Sequence, residues 1–175
     1  TGGSGYIGSH LAIALQDNNL VRIIDLVKPN ERILNKVEFK KCDITNYKET
    51  EETIKGLEIV FHKAGLVGGV NSMANPFKYY QVNTIGTLNV LKACFKHKVK
   101  RLIFSSTELV YGKEVMSPIS EEQLPKPTTI YGATKLIAEK YIQIFDQKYD
   151  LPTLIFRFCR TRDSKKEDVV TKFTR

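Results

Sequence analysis

The amino-acid sequence predicts an α/β fold in which helices flank a doubly wound parallel sheet. Short runs rich in Val, Ile and Phe alternate with longer segments whose apolar residues recur at helical spacing, which is typical of successive β-α-β units. A glycine-rich loop opens the chain directly ahead of one such helical segment. The 175 residues contain 42% hydrophobic and 26% charged residues, which is enough for one domain with a sizeable core.

The opening loop has the pattern Thr-Gly-x-x-Gly-x-x-Gly over residues 1–8. Glycines at positions 2, 5 and 8 allow a tight turn and let the backbone approach a pyrophosphate, which would bind at the N-terminus of the next helix. Taken alone, the pattern is equally compatible with a plain turn between two elements. Such a loop normally follows a strand and none precedes Thr1, so we expect this sequence to be part of a longer chain.

Asp25 ends the predicted strand Leu20–Asp25, about 20 residues after the loop. An acid there reaches the ribose hydroxyls of an adenosine and repels a 2′-phosphate, which favours NAD over NADP. The alternative is a solvated Asp in a turn.

Further candidate ligand contacts lie at the ends of later predicted strands. Asp43 follows an alternating strand beginning at Val37, and it either binds an adenine amine or caps the next helix. Ala64 and Gly65 follow the strand Leu57–His62 and leave room for a cofactor beside them. Lys63 reaches a phosphate or lies on the surface.

A long helix is predicted from Asn75, as its cap, through Pro76 to about His97. Asn83 is an unfavourable helix residue that requires a polar partner, and Gly86 indicates close packing of the helix.

The chemistry is predicted at the end of the strand Arg101–Thr107 and on a helix beginning near Tyr131. Tyr131 and Lys135 are four residues apart and therefore share a helix face. A tyrosine base near neutral pH needs its pKa lowered by about three units, and a lysine ammonium with an oxidised nicotinamide supplies charge of the right sign. Thr107 would orient the same substrate hydroxyl. An exposed Tyr-Lys pair is the alternative.

In these motifs the chain resembles the extended short-chain dehydrogenase/reductases, and in particular the NAD-dependent epimerase/dehydratase group that acts on nucleotide-sugars. The resemblance covers nearly all of the chain up to Phe158 and implies a Rossmann-type domain over residues 1–158. It implies Thr107, Tyr131 and Lys135 as catalytic residues, with Asn83 supporting the site and Ser105 and Ser106 lining the nicotinamide side. The predicted cofactor contacts are Gly2, Gly5, Tyr6, Ile7, Gly8, Asp25, Asp43, Ile44, Ala64, Gly65, Asn83, Ser105, Tyr131 and Lys135.

The resemblance implies epimerisation of a nucleotide-sugar, a UDP-sugar being favoured, through a keto sugar with NAD regenerated. The pair Glu108-Leu109 replaces the Asp-Glu of the family's 4,6-dehydratases and disfavours dehydration. The alternatives are an NAD-dependent dehydrogenase, reductase or dehydratase of a nucleotide-sugar or sterol-like alcohol, and a non-catalytic NAD-binding protein. The tail after Phe158 departs from the family pattern, so residues 159–175 are expected to be a remnant of a substrate-binding lobe. A homodimer through the Asn75 and Tyr131 helices is also implied.

Composition argues against other classes. The sequence has no apolar run of membrane-spanning length and no signal-peptide pattern, so a cytoplasmic protein is expected. Cys42, Cys94 and Cys159 are widely spaced and predict reduced thiols, with neither a disulfide framework nor a metal site. The net charge of +8 is scattered along the chain. We therefore expect a solvated basic surface, which in part attracts an anionic nucleotide-sugar, and expect neither nucleic acid nor membrane as a partner.

Overall fold

Five parallel strands form the centre of the protein. The computed structural model describes residues 1–113 and 118–159. Two strands pair as β1–β2 and three as β3–β4–β5. Their bounds are Arg22–Asp25 (β1), Glu38–Lys41 (β2), Ile59–His62 (β3), Arg101–Thr107 (β4) and Thr153–Phe158 (β5). The predicted parallel α/β architecture is confirmed.

Thr1 and Gly2 lie between β1 and β3 and connect the two sheets. The Gly2 amide donates to Ile24 O at 2.9 Å, the Thr1 amino group donates to Phe61 O at 2.7 Å, and the Lys63 amide donates to Thr1 O at 3.1 Å. A cleft of about 520 Å³ separates the rest of the two strands and is lined by residues of the first helix and of both strands. It lies toward the N-terminal ends of the strands, away from the edge where ligands of such sheets bind.

Helices cover both faces of the strands. They are Tyr6–Leu15 (α1), Glu31–Leu34 (α2), Tyr47–Ile54 (α3), Gly69–Ala74 (α4), Pro76–Tyr79 (α5), Gly86–Lys96 (α6) and Ile130–Tyr149 (α7), with a π-helical segment at Tyr80–Ile85 and a 3₁₀ turn at Glu108–Val110. Consecutive residues of β1 face opposite sides of the sheet. Ile23 packs with residues of α1 and α2, whereas Ile24 belongs to the main core formed with α3, α6 and α7.

Two predictions about the helices need correction. The long helix predicted from Asn75 is interrupted by the π-helical segment, and α4 precedes it. Asn75 stands at the cap position of α5, yet its side-chain amide donates to Asn71 O instead of capping. Gly86 does mark close packing, because a Cβ there would lie 2.7 Å from the Ile44 side chain.

The core and the ends of the elements otherwise follow the predicted pattern. Leu91, Leu102, Phe104 and Ile142 are fully buried between the sheet and its helices. Strand β5 ends at Phe158, and the predicted remnant of a substrate-binding lobe lies, except for Cys159, outside the described residues. Within residues 1–113 and 118–159, no helix combines the length and apolar character that a membrane crossing requires.

Candidate functional site

The glycine loop is held so closely that side chains do not fit at two of its glycines. A Cβ on Gly8 would lie 2.1 Å from Gly2 O. Gly2 has φ +70° and a Cβ there would lie 2.4 Å from the Ala64 amide nitrogen. Gly5 is different, since a Cβ would meet only Gly2 O, at 3.4 Å, and its other side is open. Gly5 also precedes α1 without a side-chain cap, so the first helical N–H groups of Tyr6 and Ile7 are available to an anion.

Asp25 lies beside this loop at the end of β1. Its carboxylate accepts hydrogen bonds from the Ser4 amide at 3.0 Å and the Val27 amide at 3.2 Å. The side chain is neither buried nor fully exposed. The carboxylate is therefore fixed against the glycine loop, at the distance along the chain where a nucleotide ribose is expected. The loop and Asp25 therefore form one connected group at the N-terminus of α1, and their contact with a nucleotide stays a prediction.

Asp43 does not cap the next helix. Strand β2 ends at Lys41, and the Asp43 carboxylate accepts from the amide and the hydroxyl of Thr45 at 2.9 and 2.8 Å. Asn46 caps α3 instead, by accepting from Lys48 N at 3.1 Å. Ile44 is 6% exposed, so its side chain belongs to the core and its backbone is what remains for a ligand. The helix-cap alternative for Asp43 is wrong, and the adenine contact stays a prediction.

Asn83 links the loop after β3 to α7. Its side-chain oxygen accepts from Leu66 N at 2.8 Å, while its amide donates to Leu66 O at 3.0 Å and to Thr134 Oγ1 at 3.2 Å. A Cβ on Gly65 would lie 3.0 Å from Asn83 Oδ1 and 3.9 Å from Lys135 Nζ, so this loop passes close to the predicted catalytic lysine. Asn83 therefore has the polar partners that were predicted for it, and it lies within the π-helical segment.

His62 is a site residue to which the sequence alone assigned no role. Its Nδ1 lies 2.8 Å from Thr1 Oγ1 and its Nε2 lies 2.9 Å from Thr87 Oγ1. Because the Thr87 hydroxyl donates to Asn83 O at 2.6 Å, it must accept from His62 Nε2–H. Burial, with nearby positive charge, holds the pKa of His62 well below its ordinary value. The neutral ring thus connects the glycine loop to the π-helical segment.

The three predicted catalytic side chains are brought together at the end of β4 and the start of α7. Thr129 caps α7 by accepting from Gly132 N at 3.1 Å. Thr107, Tyr131 and Lys135 are 6%, 8% and 5% exposed, so they do not form an exposed surface pair. The Lys135 ammonium lies 4.0 Å from the centroid of the Phe104 ring.

The electrostatics of this group differ from the prediction. Burial raises the pKa of Tyr131 above its ordinary value, although a hydrogen bond with Thr107 acts in the opposite direction. Burial also lowers the pKa of Lys135 to about 7, against the raising effect of Glu139. The expected lowering of the Tyr131 pKa is therefore not present in the chain alone, because the loss of water around the phenol has a larger effect than the hydrogen bond with Thr107.

Ser105 and Lys63 meet on one side of the sheet. Lys63 Nζ donates to Ser105 Oγ at 2.8 Å and lies 5.0 Å from the centre of the Phe158 ring. Burial lowers the pKa of Lys63. Lys63 is thus half-buried at the ligand edge, which rules out the surface alternative, and its predicted contact with a phosphate stays untested.

Two charged residues in the interior were also missed. Glu139 is 1% exposed and pairs with Arg157, whose Nη2 lies 2.7 Å from Glu139 Oε2. Two sequence signals could have indicated this pair, namely an arginine within the apolar strand 153–158 and a glutamate one helical turn beyond Lys135. Cys42 and Cys94 are buried, Cys159 is exposed, and all three are free in the structure. The described residues contain no cluster of three His, Cys, Asp or Glu side chains suited to a metal ion.

Comparison with known proteins agrees with this geometry. The model of the NAD dependent epimerase/dehydratase family matches residues 1–162. A UDP-glucose 4-epimerase of Halalkalibacterium halodurans is 37% identical over 164 residues, which cover 90% of this chain and 48% of the relative.

Solved structures give the same result. The UDP-glucose 4-epimerase of Thermotoga maritima, solved with UDP-glucose, superposes with a TM-score of 0.86 at 30% identity, covering 98% of this chain and 59% of that one. The enzyme of Brucella ovis, solved with NAD, gives 0.83 at 32% identity, covering 89% and 49%. The chain thus spans about half the length of these proteins. The predicted family, the Rossmann-type fold and the NAD cofactor are confirmed, and the chain belongs to the NAD-dependent epimerase/dehydratase family.

Proposed function

We propose that the protein epimerises a nucleotide-sugar, a UDP-sugar being favoured, at C4 of the sugar. The observation that carries this proposal is the grouping of Thr107, Tyr131 and Lys135, each less than 9% exposed, at the ligand edge beside the loop 64–66. The names of the relatives, which are UDP-sugar 4-epimerases, support the substrate class. The chain spans about half of their length, so the activity belongs to the proposal.

Each residue has a distinct role in the proposed reaction. The Tyr131 phenolate takes the proton of the sugar hydroxyl, and Thr107, which hydrogen-bonds Tyr131, orients that hydroxyl. NAD held by the glycine loop and Asp25 would supply a reversible hydride acceptor and a positive charge. Lys135 supplies a further positive charge when protonated. Because burial raises the pKa of Tyr131 in the chain alone, we expect the tyrosine to become a base only in the cofactor complex.

The cofactor contacts of the proposal follow the loop and strand ends. The α1 N-terminus with Gly2, Gly5, Tyr6, Ile7 and Gly8 would hold the pyrophosphate, and Asp25 the ribose of the adenosine. The side chain of Asp43 and the backbone of Ile44 would contact the adenine. The nicotinamide half would lie along Ala64, Gly65 and Ser105, with Asn83 acting through the loop that it binds. Residues 1–158 would form the NAD-binding domain.

Replacement of Tyr131 by phenylalanine tests the function. We expect wild-type chain with NAD to interconvert UDP-glucose and UDP-galactose, measured by NMR of the sugar anomeric protons. Tyr131→Phe should lose turnover by about 100-fold or more and keep NAD binding. Tyr149→Phe, which changes a half-exposed tyrosine on the same helix, is the matched control.

The same assay separates the alternatives. Release of NADH in proportion to substrate, read at 340 nm, would indicate a dehydrogenase, and NAD binding without turnover would indicate the non-catalytic alternative. Unchanged turnover of Tyr131→Phe would contradict the assignment of the base. Dehydration is disfavoured because Glu108 and Leu109 occupy the positions after Thr107 where the resemblance places the Asp-Glu pair of the 4,6-dehydratases.

We also propose a homodimer and a cytoplasmic location. Apolar side chains on the two helices implied for dimerisation are exposed, with Phe77 and Tyr80 on one and Ile137 and Ile144 on the other. Light scattering after gel filtration, on wild type and on Ile144→Glu, would test the dimer. The buried free thiols of Cys42 and Cys94 are consistent with a reducing compartment.

A further inference from the structure

Glu139 is a buried carboxylate that joins three elements of the site. It lies on α7 one helical turn beyond Lys135 and is 1% exposed. Arg157 of β5 donates from Nε to Oε1 and Oε2 at 3.1 and 3.3 Å, and from Nη2 to Oε2 at 2.7 Å. The Ser106 hydroxyl of β4 donates to Glu139 Oε1. One side chain therefore bonds α7 to both neighbouring strands.

The other end of Arg157 extends this connection beyond Thr107. Its Nη1 donates to the Tyr111 hydroxyl at 2.6 Å, and its guanidinium lies 4.8 Å from the centre of the Tyr111 ring. Ser106 comes directly before Thr107, and Tyr111 follows the 3₁₀ turn that Thr107 precedes. The segment carrying Thr107 is therefore held on both sides by groups bonded to the Glu139–Arg157 pair.

Glu139 also contributes to the charge balance around Lys135. The described titratable groups near this ammonium are Glu139 and Tyr131 on α7, and Lys63 and neutral His62 from the end of β3. Glu108 in turn lies near Tyr131 and, like burial, raises its pKa. Burial and Lys63 both lower the pKa of Lys135, and Glu139 raises it. The carboxylate therefore opposes the two effects that would remove the proton.

We propose that Glu139 is a positioning residue, which holds the strand bearing Thr107 in register with the helix bearing Lys135 and presents a negative charge to the Lys135 ammonium. The part concerning turnover rests on the proposed function. The matched variants are Glu139→Gln, which removes the charge and keeps the size, and Glu139→Asp, which keeps the charge. Glu58→Gln is the control, since Glu58 forms an exposed pair with Lys100 at 2.8 Å.

The first measurement needs neither cofactor nor turnover. The pKa of Lys135 is followed by ¹³Cε NMR of the lysine-labelled chain, and the signal is assigned by its loss in Lys135→Arg. We expect the Lys135 pKa to fall by about one unit or more in Glu139→Gln and to change by less than half of that in Glu139→Asp and Glu58→Gln. An unchanged Lys135 pKa in folded Glu139→Gln would overturn the electrostatic role.

The second measurement is the pH profile of kcat/KM with UDP-galactose. In Glu139→Gln the alkaline limb should move to lower pH by the same amount as the Lys135 pKa, and kcat should fall more than KM rises, with recovery in Glu139→Asp. A merely structural role predicts equal loss at every pH, and that result in a variant with a wild-type circular dichroism spectrum would refute the proposal. If wild type shows no turnover, the proposed function fails, and the NMR measurement alone decides whether Glu139 acts on Lys135.

Discussion

Replacing Lys135 by methionine should stabilise the fold and abolish turnover. Burial lowers the pKa of Lys135 from 10.5 to about 7, whereas the unfolded chain keeps the ordinary value. At pH 7 the unfolded state therefore binds more protons than the folded state. The difference between the two pKa values lowers the free energy of unfolding at this pH by about 4 kcal/mol. Methionine has a similar length without the charge, so it removes this cost, and its thioether replaces the ammonium against the Phe104 ring.

The pH dependence of the stability gained by Lys135→Met identifies the buried charge of Lys135 as the cause. The destabilisation by Lys135 is complete below pH 7, declines as the pH rises from 7 to 10.5, and is absent above that range. Unfolding in guanidinium chloride, followed by circular dichroism at pH 7 and pH 10, should show a large gain for Lys135→Met that shrinks at the higher pH. The exposed Lys100→Met is the matched control. A variant no more stable than wild type at pH 7, or equally stabilised at both pH values, would refute this reasoning.

Two further predictions concern the glycine loop and the buried histidine. Gly8→Ala should lower the free energy of unfolding by about 1–3 kcal/mol because its Cβ would lie 2.1 Å from Gly2 O, whereas Gly5→Ala should keep the stability and lose NAD affinity. Denaturant unfolding and NAD titration calorimetry check both, and full NAD affinity in Gly5→Ala would contradict a pyrophosphate at Gly5. The pKa of His62 is depressed in the folded state. As the pH falls below 6.5, the free energy of unfolding of the wild type should therefore decrease by up to about 1.4 kcal/mol per pH unit, and that of His62→Gln should decrease less. Parallel slopes of unfolding free energy between pH 7.5 and 5.5 would exclude His62 as the cause.

The features predicted from the sequence were those that depend on local pattern. The glycine spacing, Asp25 at the end of a strand, and Tyr131 four residues before Lys135 each follow from geometry within one or two elements. Parallel strands then bring their ends to one edge, which places Thr107 and Tyr131 together without further information.

Other features depend on contacts between distant segments, which no local pattern contains. The π-helical segment exists where Asn83 bonds Leu66 and Thr134, and helix periodicity alone favours a continuous α-helix. The pKa of Tyr131 was predicted from the charges of Lys135 and an oxidised nicotinamide, but in the chain alone burial of the phenol is the largest effect and raises this pKa. Asn46 competes with Asp43 for the cap of α3, and both residue types are good caps, so spacing did not distinguish them.

The π-helical segment divides one long helix into two surfaces with different orientations. A π turn contains about one residue more than an α turn, so the side chains after it are rotated by about 100° relative to those of an uninterrupted helix. Before the turn, Tyr79 packs edge-on against Tyr131 at 6.3 Å between ring centres, and after it Val90 and Leu91 enter the main core. A single-residue deletion within 80–85 would turn one of these surfaces toward solvent. Insertions and deletions within 80–85 should therefore destabilise the protein more than most substitutions there.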